Sequence, residues 1–232
     1  MIEINDVTIT VRGRVVLERC SATLPTGSIT HLSGVNGSGK TTLIRAIAGI
    51  QRFSGSILFG GAAAVRGGTA GTGSDAKSTG TQDVARVRPS LYVCFDDAPV
   101  FPYLNGYENV RMLLGRPVKR AEIAMIAPAL ADHALLRVPA RKLSHGQRKR
   151  VHLVAALASG ADYLVFDEAL NGVDAPTIAE VVTALDVRAP HATVLMTGHH
   201  EDAYGGFTSR RLELVDGRLV ARGAGRPTEV RA

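Results

Sequence analysis

Gly34-Val35-Asn36-Gly37-Ser38-Gly39-Lys40-Thr41 decides the reading of this 232-residue chain. The stretch fits G-x-x-x-x-G-K-[ST], the pattern of a loop that wraps phosphate groups. Glycines let the backbone come close to an anion and take positive φ where the turn requires it. Successive N–H groups then face inward and form a concave anion site. Lys40 is spaced to reach the outer phosphates, and the Thr41 hydroxyl to ligate Mg²⁺. The flanks agree. Ser28-Ile29-Thr30-His31-Leu32 reads as a strand entering the loop, and residues 42–48 read as a helix leaving it. Phosphates would therefore sit on a helix N-terminus.

Working outward, residues 2–11 alternate loosely as a strand, and Arg12-Gly13-Arg14 signals a turn into a second one. This opening reads as an antiparallel edge. Beyond the loop, apolar strands alternate with helical patterns, as in an α/β fold with a mostly parallel sheet. Residues 60–82 are almost entirely Gly, Ala, Ser and Thr. With so little to bury, they read as a flexible surface insertion. Residues 106–116 and 119–137 carry helical patterns interrupted at Pro117 and Pro128, and suggest a helical lobe over about residues 92–160.

Three further stretches carry chemistry. Leu91-Tyr92-Val93-Cys94-Phe95 reads as a buried strand ending in Asp96-Asp97. Ligands of open α/β sheets bind at such strand ends, although an Asx turn before Pro99 explains the acids equally well. Leu143-Ser144-His145-Gly146-Gln147 opens a long helix, with Ser144 and Gln147 at capping-box spacing. That helix end either binds a second phosphate or is simply capped. Leu164-Val165-Phe166-Asp167-Glu168 is an apolar strand ending in two acids, which beside a phosphate loop is what a Mg²⁺ site needs. Asp174 with Pro176 marks another helix start, and Asp216-Gly217 a hairpin turn. His199 and Glu201 resemble metal ligands, but nothing completes a set.

Composition bounds the rest. Apolar residues make up 45% of the chain and the formal net charge is +6. The charge suits an anionic ligand, a membrane surface or nucleic acid, and equally a generally basic surface. Cys20 and Cys94 are the only cysteines, in unrelated contexts, so a reducing compartment is expected and a disulfide framework is not. The first residues have no signal-peptide pattern, and no apolar run reaches the ~18 residues of a membrane span.

The order of phosphate loop, Leu143-Ser144-His145-Gly146-Gln147, Leu164-Val165-Phe166-Asp167-Glu168, Asp174 and His199 resembles the ATP-binding subunit of ABC (ATP-binding cassette) transporters. The resemblance covers nearly the whole chain as a single ATP-binding domain, apart from the insertion and the tail. It implies a P-loop NTPase core with an antiparallel N-terminal edge and an α-helical signature subdomain. It also implies roles. Gly34, Asn36, Gly37, Ser38, Gly39, Lys40, Thr41 and Thr42 would hold ATP. Thr41 and Asp167 would hold Mg²⁺, Glu168 would polarise the attacking water, and His199 would sense the γ-phosphate. Ser144, Gly146 and Gln147 would cap the γ-phosphate bound by a partner subunit in a head-to-tail dimer. Asp174 would lie in the loop joining the two sites.

The chain departs from the family pattern at four places. His145 replaces a glycine of the signature. The loop glutamine falls on Asp96, counted back from Glu108-Asn109, and Asp96 would become a metal contact. The aromatic residue that stacks on adenine falls near Val11. Ala169-Leu170-Asn171 follows Glu168 in place of a proline-led run. The resemblance implies an ATPase that powers transport, paired with itself or a second cassette. A separate transmembrane permease would hold it on the inner face of the cell membrane, with no nucleic-acid partner expected. A soluble ABC-type ATPase uncoupled from transport is the alternative, but DNA-repair members carry a long coiled coil and translation members two cassettes. A regulatory module with negligible turnover is a third reading, against which Glu168 and His199 speak.

Overall fold

A computed structural model describes residues 1–61, 63–66, 90–97, 99–128, 130, 133–198 and 208–223. Strand β1 (Ile2–Val11) buries Ile2, Ile4, Val7 and Ile9, and pairs antiparallel with β2 (Arg14–Leu24). Arg12 and Gly13 both take positive φ, 50° and 79°, as a two-residue hairpin turn of matching twist requires. β4 (Ser54–Phe59) pairs with the other side of β1, and β5 (Ala63–Arg66) with β4, completing a sheet of order β2-β1-β4-β5.

β5 corrects the reading of residues 60–82 as insertion from their first residue. Gly60 and Gly61 turn with φ of 63° and 76°, and Ala63 pairs with Phe59. Ladder bonds come from the backbone, so small side chains do not forbid a strand. Residues 62 and 67–82 of that stretch lie outside the described residues.

The second sheet comprises β3 (Ser28–Ser33), β6 (Leu91–Phe95), β7 (Tyr163–Asp167), β8 (Thr193–Met196), β9 (Arg210–Val215) and β10 (Arg218–Arg222), in the order β10-β9-β3-β8-β7-β6. All neighbours are parallel except the β9–β10 hairpin, which turns at Asp216-Gly217 as expected. Residues 28–32 of β3, 164–167 of β7 and all of β8 are buried, the continuous pattern of strands covered on both faces. The expected fold class is therefore the observed one. Parallel pairing brings the C-terminal ends of β3, β8, β7 and β6 to one edge, with Phe95 registered on Asp167.

Helix α1 (Lys40–Ile47) buries Leu43, Ile44, Ala46 and Ile47 in a core shared by both sheets, with Ile4, Ile9, Val165 and Leu195. Each of the buried Leu, Ile and Val side chains stabilises the fold by about 1.5–3 kcal/mol. The opposite face of the parallel sheet packs on α5 (His145–Ala158) and α6 (Ala175–Arg188). The helical lobe adds α2 (Gly106–Leu114), α3 (Arg120–Ile126) and α4 (His133–Arg137). Its expected first residues belong instead to β6, inside the core sheet. Asn105 and Glu108 form a capping box that starts α2, and Gly115 at φ 62° ends it. Asn109, fully buried, accepts from the Phe101 N–H at 2.7 Å and donates to the carbonyls of Phe101, Leu104 and Asn105. One amide thus fixes the segment leading from Asp96 to the lobe.

Candidate nucleotide and metal site

The phosphate loop follows β3. Gly34 has φ 148°, and a Cβ there would stand 2.9 Å from the Leu214 carbonyl and 2.8 Å from Ser38 Oγ. Gly37 and Gly39 take φ of 80° and 109°, which side chains rarely adopt. Lys40, 6% exposed, donates to the carbonyl oxygens of Gly34 at 2.7 Å and Val35 at 3.2 Å, arching over the loop. Ser38 Oγ is buried without a hydrogen-bond partner, and no acidic residue occupies the first turn of α1. An orphaned hydroxyl and a positive helix end with no acid of its own fit a phosphate oxygen. Asn36 and Gly37 are exposed at the rim, and Thr41 and Thr42 are half-buried at the helix start.

Asp167 ends β7 and is 3% exposed. Thr197, just past β8, donates to its Oδ1 at 3.0 Å, and the Thr41 hydroxyl lies near enough to this carboxyl to pull its pKa down. Burial pushes the Asp167 pKa up, the two hydroxyls pull it down, Glu168 pushes it up and Arg45 pulls it down, for a net rise. The sequence thus places Thr41 and Asp167 apart, and the fold brings them together. Glu168 takes φ 53°, a left-handed conformation uncommon for a side-chain-bearing residue and frequent at functional sites. Its N–H donates to Thr197 Oγ1 at 3.0 Å, and its carboxylate accepts from Asn171 Nδ2 at 3.1 Å. Among the described residues no three His, Cys, Asp or Glu side chains converge on a metal position. Thr41 and Asp167 are nonetheless a fitting pair for Mg²⁺, which takes few protein ligands and completes its shell with phosphates and water.

Asp96 sits one residue beyond β6, at the same edge of the sheet. Its carboxylate accepts from the ammonium of Lys149, a 7% exposed residue of α5. Lys149 also donates to the Asn171 carbonyl at 2.6 Å. Asp96 is therefore ion-paired, a relationship its sequence surroundings do not indicate. Beneath it, burial pushes the Cys94 thiol up to about 12, with Lys149 pulling down and Asp96 and Asp167 adding to the rise.

Ser144 is the N-cap of α5. Its hydroxyl accepts from Gln147 N–H at 3.2 Å, and the Gln147 side chain accepts from Ser144 N–H at 2.9 Å. Within one chain, then, these two side chains cap the helix. Both are exposed, and Gly146 lies beside the turn after β7, where a Cβ would meet the Gly172 carbonyl at an ordinary contact distance of 3.4 Å. Asp174 caps α6 by accepting from Thr177 N–H at 3.0 Å, and Arg150 of α5 pairs with it at 3.1 Å. Val11 is half-buried at the end of β1, paired with Arg14 and packed against the core that holds α1. His199 lies outside the described residues.

Thr197, Asn171 and Lys149 escape a sequence reading. Thr197 and Asn171 are ordinary strand-end and turn residues. Lys149 had a signal: it lies four residues before the buried Leu153, on the apolar face of α5. Its place inside Arg148-Lys149-Arg150 conceals this as a solvated basic run.

Residues 17–171 match the family model described as ABC transporter. A manganese transport system ATP-binding protein of Bacillus subtilis (strain 168) is 32% identical over 204 residues, 85% of this chain and 76% of that protein. A lipopolysaccharide export system ATP-binding protein of Acidithiobacillus ferridurans is 29% identical over 225 residues, 94% of this chain and 87% of that one. In fold, the chain is similar to a dimeric ATP-binding cassette in a post-hydrolysis state bound to ADP and Pi. The TM-score is 0.79 at 20% identity, covering 97% of this chain and 99% of the other. It is similar also to a bacterial Atm1-family ABC exporter with ATP bound, with TM-score 0.79 and 23% identity over 97% of this chain and 39% of that one. With this match in sequence, and with the loop, Asp167 and Glu168 gathered at one sheet edge, the chain belongs to the ABC transporter family and carries its ATP-binding, ATP-hydrolysing domain.

Proposed function

We propose that this chain hydrolyses Mg-ATP at a site shared between two cassettes and so drives a membrane permease. The closeness of Thr41 to Asp167, beside a Glu168 held in a strained conformation, carries this reading. Inward N–H groups of residues 34–41 and the Lys40 ammonium would bind the phosphates. Thr41 and Asp167 would hold Mg²⁺, which when bound neutralises charge on the phosphates. Glu168 would orient and polarise the attacking water, with His199 sensing the γ-phosphate. Asp96 would contact the metal when its loop shifts from Lys149. Val11 would face the adenine.

The exposed end of α5, with Ser144, Gly146 and Gln147, would be offered to the nucleotide of a second cassette, itself or a paralogue. Among the described residues no helix is long and apolar enough to cross a membrane. A separate permease would therefore hold the chain at the inner membrane face. Phe101 and Tyr103, 46% and 81% exposed in the segment stapled by Asn109, suit such a docking surface.

Light scattering with Glu168→Gln tests the shared site. Mg-ATP is expected to convert this variant from monomer to dimer, and wild-type specific activity is expected to rise with protein concentration. A variant that binds Mg-ATP and stays monomeric would refute it.

A further inference from the structure

Among the described residues Lys40 and Lys149 are the two buried ammonium groups. Lys40 serves the phosphate loop. Lys149 lies on another element, and its contacts run in two directions. One N–H goes to the Asp96 carboxylate at the end of β6, and another to the Asn171 carbonyl in the turn after β7. Asn171 then holds Glu168 twice. Its backbone N–H donates to the Glu168 carbonyl at 3.0 Å, and its side-chain amide to Glu168 Oε2 at 3.1 Å. A continuous polar path thus joins Asp96 to Glu168 through one lysine and one asparagine.

A buried cation requires a compensating anion and filled donors. Asp96 supplies the anion, and its own carboxylate is half-exposed at 48%. One end of the path is therefore locked in the protein, while the other faces solvent on a strand-end loop. Any displacement of that loop changes what Lys149 must bind. The nearest response open to it runs through the Asn171 carbonyl, and so through the turn that carries Glu168.

We propose that Lys149 is a positioning residue for hydrolysis, which ties the placement of Glu168 to the position of the Asp96 loop. While paired, Lys149 holds Asp96 off the metal and fixes the Glu168 turn. This rests on Glu168 acting on the attacking water, so the test includes Glu168→Gln. Loss of turnover in that variant supports the underlying role independently of Lys149.

The experiment is a cycle of Lys149→Gln, Asp96→Gln and their double variant, with Lys149→Arg and Asn171→Ala, measured in kcat, KM for ATP, half-maximal Mg²⁺ and Tm. Lys149→Gln is expected to lower kcat about tenfold or more, since small misplacements of reacting groups cost that much. KM should stay within about twofold, because no phosphate contact is removed. Half-maximal Mg²⁺ should fall, since an unpaired Asp96 carboxylate attracts the cation. The double variant should recover most of the lost kcat, since two amides can hydrogen-bond without a buried charge, and Lys149→Arg should retain most of it. A folded Lys149→Gln with wild-type kcat and Mg²⁺ curve, whatever its Tm, overturns the proposal. Should Lys149→Gln fail to fold, Asn171→Ala decides. It removes only the amide to Glu168, so kcat should fall about tenfold with KM within about twofold, and an unchanged kcat overturns the proposal.

Discussion

Thr197 donates its hydroxyl hydrogen to Asp167 Oδ1 at 3.0 Å while its oxygen accepts the Glu168 N–H at 3.0 Å, so one side chain fixes both acids. Thr197→Val keeps the shape and removes both bonds. It leaves a buried carboxyl and an N–H short of a partner, at a cost of about 1–3 kcal/mol. Thermal melts should show a loss of about 2–4 °C per kcal/mol in a chain of this size. ATP turnover should fall as well, and Thr197→Ser should restore both.

Asp167 carries a stability cost that comes chiefly from its burial. Its folded pKa is raised, so the folded state holds the proton more tightly than the unfolded one. Stability from this group is greatest below the unfolded value of about 3.9 and falls as pH rises through the folded pKa. The cost is fully present at neutral pH. Asp167→Asn should therefore raise Tm at pH 7 in nucleotide-free protein, and the gain should shrink as pH is lowered toward the carboxylate range. The same variant should lose Mg²⁺-dependent hydrolysis. A neutral or lower Tm at pH 7 would show that the hydroxyls of Thr41 and Thr197 outweigh burial.

Asp174 behaves oppositely. The Thr177 N–H and hydroxyl hold its carboxyl below the ordinary value against desolvation, with a lesser pull from Arg150. Its contribution is present above the unfolded pKa and disappears as pH falls through the folded one. Asp174→Ala should cost about 0.5–2 kcal/mol through the lost cap. Arg150→Ala, which removes an exposed ion pair together with the 2.7 Å bond to Thr177, tests how the two helices are tied. Urea titrations from pH 7 downward should show the Asp174→Ala difference shrinking as pH falls through the carboxylate range.

Cys94 should be silent toward thiol reagents. It is 2% exposed and its thiol is pushed up to about 12, and burial raises Cys20 as well. The thiolate is the reactive form, so neither is available near neutral pH. Ellman's reagent at pH 8 should find no fast thiol in folded protein and two after denaturation. A fast native thiol that persists in a Cys20→Ser variant would show that the strand ending at Asp96 opens readily.

Local chemistry made several elements legible without coordinates. The loop at 34–41, the Ser144–Gln147 box, the Asp174 cap and the Asp216-Gly217 turn each rest on backbone conformation and hydrogen bonds within a few residues. Buried strands such as 163–167 and 193–196 announced themselves as apolar runs, because a parallel sheet is covered on both faces. What remained hidden depends on which distant strand ends meet. β5, only Ala63–Arg66, is too short and too small in its side chains to stand out, and its place is set by pairing with β4 across the Gly60-Gly61 turn. Thr197 is 30 residues from Asp167, and Lys149 is 53 from Asp96 and 22 from Asn171. Sequence periodicity places Lys149 on the apolar face of its helix, but only the parallel register of β6 on β7, with α5 packed beneath them, supplies the carboxylate and the carbonyl that allow an ammonium to be buried there.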